Sequence, residues 1–163
     1  MSAEDLPADE PATRLRDVVE RVVDELELEA EVEVTESEEE LRATVEGEDL
    51  GLLIGKHGTT IDALQHLAMR IALRGDVDDR RRVVVDAAGY RERRENALQR
   101  EADRAVSDAL RYGRPVELEP MRALERKVVH TYLSERTDIE TYSEGDEPER
   151  RLVVAPLRPS SGS

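Results

Sequence analysis

The chain contains no cysteine, no phenylalanine and no tryptophan, and its aromatic residues are four tyrosines. The absence of cysteine excludes disulfides and thiolate chemistry, and it is typical of proteins kept in a reducing compartment. The absence of Phe and Trp argues against a sheet surface that stacks several bases on aromatic rings. No apolar run approaches the ~20 residues of a membrane span, so membrane insertion is not expected.

The excess negative charge lies in the first third of the chain. Residues 1–49 carry 19 acidic and four basic residues, a net charge of −15, whereas residues 50–163 carry 20 of each. Residues 80–127 carry 13 basic and nine acidic residues, which predicts a locally basic surface on a neutral body. The acidic first segment would repel polyanions or keep the protein soluble.

The two ends of the chain are predicted to lack a fixed structure. Residues 1–12 are rich in Asp, Glu, Pro and Ala and are expected to form a disordered acidic tail, and residues 158–163 a flexible polar tail. The first tail lacks the basic segment that begins a signal peptide. We therefore expect a cytoplasmic location.

Hydrophobic periodicity predicts an α+β chain of two small domains, residues 13–88 and 89–157. In the first domain the pattern predicts helix, strand, strand, helix, helix and strand, at residues 13–26, 30–35, 41–45, 49–54, 60–73 and 82–86, with Asp49 capping the short helix. In the second domain it predicts a helix, a short extended segment, a second helix and two strands, at residues 90–111, 116–118, 120–133, 139–142 and 151–155. In the second helix of this domain the residues expected to face inward are Leu124, Val128 or Val129, and Tyr132.

The most informative segment is a Gly-x-x-Gly turn, Gly55-Lys56-His57-Gly58, between an apolar run and an amphipathic helix. Its glycines permit a tight bend and the close approach of another backbone. A helix N-terminus capped by Thr59 or Thr60 would present N–H donors to a phosphate, and Lys56 adds a full charge. The pattern predicts a clamp for a nucleic-acid backbone. The candidates for its apolar lining are Ile54, Ile61 and Leu64.

The Gly-x-x-Gly turn has two other interpretations. The glycines could serve an ordinary connection between helices. A nucleotide-binding P-loop in Gly51-x-x-x-Gly55-Lys56 fails because three residues separate the glycines where four are needed, and because His57 replaces the Ser or Thr that would hold magnesium.

A second basic motif lies in the helix predicted after Pro120. Arg126 and His130 are four residues apart and share a helical face, with Arg122 one turn earlier. These groups could contact consecutive phosphates. Alternatively, Arg126 and His130 form an ion pair or a packed histidine that holds the small domain together. The three histidines of the chain lack metal-ligand spacing, so neither a metal nor another cofactor is expected.

The two motifs carry a family resemblance. The first domain resembles a bacterial-type KH domain, with the order helix-strand-strand-helix-GxxG-helix-strand, and the second resembles the Arg-x-x-x-His single-strand nucleic-acid-binding domain. In this order the two resemble the Jag/KhpB family, also called SpoIIIJ-associated proteins, over roughly residues 13–157. Many members carry an N-terminal Jag domain, and we expect this chain to lack it, because only 12 residues precede the first predicted helix.

The resemblance implies a bacterial, cytoplasmic RNA-binding protein linked to RNA-level regulation of cell elongation, division or sporulation, with the small KH protein KhpA as a partner. Its residues would form a backbone clamp and a second contact helix. The residues that match the family motifs are Gly55, Lys56, His57, Gly58, Arg126 and His130. With Ile54 from the apolar lining and Arg122 from the basic helical face, they form the expected set of site residues.

The leading hypothesis is therefore a non-catalytic protein that binds single-stranded RNA, about four nucleotides beside the Gly-x-x-Gly turn, and no small-molecule substrate. The alternative is a protein-interaction adaptor whose acidic N-terminal helix and hairpin dock a basic partner or another KH protein. A phosphate-ester hydrolase acting through His130 and Arg126 ranks last, because the sequence offers neither a metal site nor a nucleophile partner.

Overall fold

The computed structural model describes residues 10–158, and within them the chain alternates helices and strands in two compact units, Met1–Arg91 and Glu92–Ser163. The α+β class and the predicted order of elements are confirmed. The elements are α1 (Pro11–Glu25), β1 (Ala30–Glu36), β2 (Glu40–Gly47), α2 (Gly51–Ile54), a 3₁₀ turn (Lys56–Gly58), α3 (Thr59–Ala72), β3 (Arg82–Ala87), α4 (Tyr90–Tyr112), β4 (Val116–Glu117), α5 (Ala123–Leu133), β5 (Ile139–Glu144) and β6 (Arg151–Pro156). No helix within this range is long and apolar enough to cross a membrane.

Strand β2 is the centre of the first sheet, antiparallel to β1 and parallel to β3. Its alternating sequence turns every second side chain towards the helices, and those side chains are fully buried. Helices α1 and α3 supply the other half of this core, because their apolar residues recur on one face. The largest fully buried side chains of the unit are Leu15, Val19, Leu41, Val45, Leu53, Ile61 and Val85.

Helix α1 begins two residues earlier than the sequence predicted. Pro11 occupies the first helical turn, where its missing N–H costs nothing and its fixed φ suits a helix. Placing residues 11 and 12 in the disordered tail was therefore wrong. The predicted tail at 1–9 and the last residues of the other, 159–163, lie outside the described residues.

Side-chain hydrogen bonds fix α3 to its neighbours. The Arg14 guanidinium of α1 donates to the carbonyl of Ala72 at 3.0 and 2.7 Å, which satisfies an acceptor that the end of α3 leaves unpaired. Gln65 accepts a hydrogen bond from the backbone N–H of Val85, at 3.0 Å, on the outer edge of β3. Ile61 and Leu64 are buried in the core beneath the helix, so predicting them as the lining of an open groove was wrong.

The second unit packs α4 and α5 around the sheet β4-β6-β5. Arg94 of α4 reaches the buried carboxylate of Glu125 on α5, with distances of 2.7 and 3.4 Å. Tyr132 donates to Asp103 across the same two helices, and this hydrogen bond raises the pKa of Tyr132. The core contains Leu98, Ala102, Ala105, Val106, Ala109, Leu118, Met121, Val129, Leu133, Ile139, Leu152 and Val154.

Helix α5 begins at Ala123 and not at Pro120, because the preceding segment extends the sheet. The N–H groups of Leu118 and Met121 donate to the carbonyls of Leu152 and Arg150, at 2.9 and 3.2 Å. Backbone groups already paired with β6 cannot start a helix. The expected inward positions Leu124 and Tyr132 are exposed, at 67% and 40%, so that part of the prediction was wrong, and Val129 faces the core.

Replacing Ile61 with Ala should reveal its structural role. We expect a loss of about 2–5 kcal/mol in the free energy of unfolding, since a fully buried side chain leaves a cavity. Leu67→Ala on the same helix, where the side chain is half exposed, should change stability by less than about 0.5 kcal/mol. Urea unfolding followed by circular dichroism measures both; equal losses would mean that Ile61 is no more structural than a surface residue.

Candidate nucleic-acid interface

The Gly55–Gly58 turn joins α2 to α3 through a run of left-handed backbone conformations. Gly55, His57 and Gly58 have φ values of 74°, 55° and 77°. Glycine adopts such values freely, whereas His57 is a non-glycine residue in the same region and marks a constrained turn. The turn closes on itself through hydrogen bonds from Gly55 to Gly51, at 2.9 Å, and from Gly58 to Gly55, at 3.3 Å.

Close packing makes glycine necessary at both ends of the turn. A Cβ on Gly55 would lie 2.9 Å from the backbone nitrogen of Thr60 and would also collide with its side chain. A Cβ on Gly58 would lie 2.7 Å from Cε1 and 2.8 Å from the hydroxyl oxygen of Tyr90. The second glycine is therefore required by an aromatic ring as well as by the backbone.

Neither threonine caps α3. Gly58 occupies the cap position, no side chain accepts a capping hydrogen bond there, and the Thr59 hydroxyl donates to the carbonyl of Lys56 at 2.9 Å. The prediction of a Thr59 or Thr60 cap was wrong. The consequence favours an anion site, because the first amides of α3 receive no capping side-chain acceptor from the described residues.

The turn presents its cationic residues to solvent. Lys56 and His57 are exposed, Gly58 is buried beneath Tyr90, and Ile54 is half-buried. Leu52 and Leu67 are exposed on α2 and α3, at 62% and 53%. Lys56 thus lies next to the uncapped start of α3, and the accessible apolar surface on these two helices comes from residues other than the predicted Ile61 and Leu64.

Tyr90 is held in place by its neighbour Arg91. The Arg91 guanidinium donates to the carbonyl of Val85 at 2.9 Å and to the carboxylate of Asp62, in the first turn of α3, at 2.7 Å. These contacts fix the Tyr90 segment against β3 and α3. Sequence reasoning missed Tyr90, although a lone tyrosine after the Ala87-Ala88-Gly89 junction was a signal that could have been followed.

The structure separates the residues of the second motif. Arg126 is buried, and its guanidinium donates to the carbonyl of Met121 and to the carboxylate of Glu147. His130 is exposed and shares a hydrogen bond with the Thr141 hydroxyl through Nδ1. Arg122 is half-buried at the start of α5. These residues do not form an exposed stripe, and the burial of Arg126 favours the packing role that the sequence left open.

The exposed cation of α5 is Lys127, which sequence reasoning did not single out. Lys127 and His130 are both exposed, and a spacing of three places them on the same side of the helix. The sequence would have pointed to Lys127 if the core-facing side of α5 had been assigned correctly. Because Leu124 and Tyr132 were expected to face inward, Lys127 was not recognised as part of the exposed side.

Comparison with known proteins matches residues 12–86 to the family "KhpA/KhpB, KH domain" and residues 96–156 to the Arg-x-x-x-His domain family, which is named for an arginine and a histidine separated by three residues. Similar curated proteins are named RNA-binding protein KhpB. The one from Clostridium symbiosum is 37% identical over 76% of this chain and 55% of its own length. Those from Lactiplantibacillus plantarum and Bacillus subtilis are 38% and 37% identical, over 91% and 79% of this chain and 46% and 62% of their own lengths.

The chain belongs to the Jag/KhpB family. The resemblance stated from the two motifs is thereby confirmed. The chain spans about half the length of the curated relatives it matches. Within the family match, the Gly55–Gly58 turn lies in the KH domain, and Arg126 and His130 lie in the Arg-x-x-x-His domain.

The contact between Gly58 and Tyr90 can be tested by a double-mutant cycle. We expect Gly58→Ala to cost about 1–3 kcal/mol, because the added methyl group strains a left-handed backbone and meets the ring. In a Tyr90→Ala background the same substitution should cost less, since only the backbone strain remains. Urea unfolding measures all four proteins, and additive losses would exclude the contact.

Substitution of Arg126 should destabilise the second domain more than substitution of His130 does. Arg126→Ala leaves the Met121 carbonyl without its donor and removes a buried side chain, so we expect a loss of about 1–3 kcal/mol. His130→Ala, at an exposed position, should cost less than about 0.5 kcal/mol. Hydrogen exchange of peptides from residues 116–156 reports on this unit alone. Unchanged exchange in Arg126→Ala would argue against a structural role.

Proposed function

We propose that this chain binds single-stranded RNA as a non-catalytic, cytoplasmic post-transcriptional regulator linked to cell elongation, division or sporulation. Residues 13–88 would act as the KH domain and residues 89–157 as the Arg-x-x-x-His domain. The observation that carries the proposal is the Gly55–Gly58 turn, whose exposed Lys56 adjoins an uncapped helix N-terminus. The relatives' name, RNA-binding protein KhpB, supports it.

The turn suits the backbone of a single strand. Glycines at 55 and 58 hold the turn in its tight conformation, while Lys56, His57 and the first amides of α3 supply charge and N–H donors for the sugar-phosphate backbone. Ile54 and the exposed Leu52 and Leu67 offer apolar surface for bases. KH domains of this kind clamp about four nucleotides.

The Arg-x-x-x-His domain would contribute through its exposed residues. We propose that His130, together with Lys127, contacts the strand directly. Arg126 would act indirectly, because its guanidinium is occupied by Met121 and Glu147 and holds the start of α5 to the following loop. Arg122, half-buried at the N-cap position of α5, would contribute a further positive charge before the helix.

Catalysis and cofactors are not part of the proposal, since neither matched domain is that of an enzyme and the relatives are named for binding alone. The family name KhpA/KhpB supports the small KH protein KhpA as a partner.

Charge reversal at the turn tests the clamp. Lys56→Asp with His57→Asp places two carboxylates where phosphates would lie, so we expect RNA affinity to fall at least about tenfold at low salt. The matched control is His66→Asp with Arg74→Asp, which makes the same change at exposed positions of the same unit, with Arg74 just beyond the C-terminal end of α3. Fluorescence anisotropy with labelled single-stranded RNA measures the affinities. Equal losses in both variants would indicate a general charge effect, and no loss in either would overturn the clamp.

A second candidate is favoured by an acidic cavity of about 430 Å³ between α1 and β1, lined in part by Glu20, Asp24 and Glu31. This surface could dock a basic protein segment. Deleting residues 13–45 would not test it, because α1 and the hairpin supply the core. Reversal of the three carboxylates to Lys leaves the core intact. If the variant keeps its RNA affinity but loses a protein partner that stays bound to the natural chain after nuclease treatment, the adaptor function is supported.

A further inference from the structure

An exposed tyrosine at the end of α4 lies between two arginines. The Cζ atoms of Arg111 and Arg114 lie 5.4 and 5.6 Å from the centroid of the Tyr112 ring. The helix ends at Tyr112, and Gly113, with φ of 66°, turns the chain so that Arg114 returns to the ring. We refer to Arg111, Tyr112 and Arg114 as the Tyr112 cluster.

Packing does not account for the ring. Tyr112 is 57% exposed and does not belong to the core of its unit, whereas the neighbouring Ala109 is fully buried. A basic residue in the last helical turn is favoured by the helix dipole, which explains Arg111 but not the aromatic residue beside it. The exposed ring is therefore not part of the apolar core of residues 92–158.

The guanidinium groups of Arg111 and Arg114 have no carboxylate partner among residues 10–158. Neither Arg111 nor Arg114 forms a salt bridge or side-chain hydrogen bond within residues 10–158, and both are exposed. Other arginines are neutralised at short range, as Arg94 is by Glu125 and Arg136 by Asp138, each at 2.7 Å. The cluster thus offers two available cations on one π-surface.

We propose that the Tyr112 cluster binds one nucleotide of single-stranded RNA, and this inference rests on the proposed RNA-binding function. A base would displace one exposed guanidinium from the ring and stack on Tyr112, while the arginines pair with the adjoining phosphates. Stacking of this kind tolerates any base, because every base has a π-face. It would add an aromatic contact in the second domain, separate from Arg126 and His130.

A nucleotide fits the cluster better than an acidic protein segment does. Carboxylates would satisfy the arginines but leave the exposed ring without a partner. A nucleotide supplies a planar group and an anion at adjoining positions, which matches an aromatic ring flanked by guanidiniums.

The test uses the full chain and labelled single-stranded RNA of mixed sequence, about 12 nucleotides long, in fluorescence anisotropy. Tyr112→Ala should weaken binding about five- to tenfold, while Tyr112→Phe, which keeps the ring, should stay within about twofold. Leu110→Ala is the control for losing an exposed side chain in the same helical turn. Equal binding by Tyr112→Ala and the natural chain would overturn the proposal, as would an equal loss in Leu110→Ala.

The arginines have their own matched control. Arg111→Ala with Arg114→Ala should weaken binding more than Arg100→Ala with Arg104→Ala, since the latter pair is exposed on the same helix but lies beside no ring among the described residues. Equal losses of RNA affinity in the two double variants would mean that the arginines act only through general electrostatic attraction, which would overturn the proposal. An acidic peptide that binds the cluster more tightly than RNA would replace the nucleotide as its ligand.

The outcomes separate this inference from the proposed function. If Lys56→Asp with His57→Asp abolishes binding while the Tyr112 cluster variants bind normally, the cluster is wrong and the function stands. If the natural chain binds no RNA at low salt, both fail.

Discussion

The contact between the Tyr90 ring and the bare Cα of Gly58 is the constraint on which the geometry of the candidate clamp depends. The ring occupies the space that any other residue at 58 would need. Because Arg91 fixes the same segment to Val85 and Asp62, the ring cannot simply move aside. The conformation of the turn is therefore set by the residues that pack behind it, while Lys56 and His57 remain exposed to solvent.

The carboxylates of the first unit neutralise many of its own arginines. Hydrogen bonds from Arg82 and then Arg42 lower the pKa of Glu40. Arg81 lies between Asp79 and Glu36, with Asp79 contributing most to its raised pKa. A sequence of clustered arginines thus becomes a set of ion pairs that hold the hairpin to the loop before β3. The potential of these arginines for binding a polyanion is correspondingly reduced.

Features that are local or strongly periodic were predicted well from sequence, whereas those decided by distant contacts were not. Strands β1 and β2 alternate without interruption and α3 keeps an apolar stripe, so their positions agreed to within one or two residues, and spacing alone identified the Gly-x-x-Gly turn. The start of α5 depends on hydrogen bonds from Leu118 and Met121 to β6, which no local pattern reveals. The burial of Ile61 and Arg126 likewise depends on which helical face meets the sheet.

The small number of cations at the Gly55–Gly58 turn limits the electrostatic contribution to the proposed RNA affinity. The dependence of RNA affinity on salt reflects the number of phosphates neutralised, and the turn supplies only Lys56 and His57. At the turn itself, so few charges contribute only a small gain from counterion release. Affinity must then come from short-range contacts, namely backbone N–H donors, apolar surface at Leu52 and Leu67, and stacking. Such contacts require flexible, unpaired nucleotides, which supports the proposed binding of single strands over duplexes.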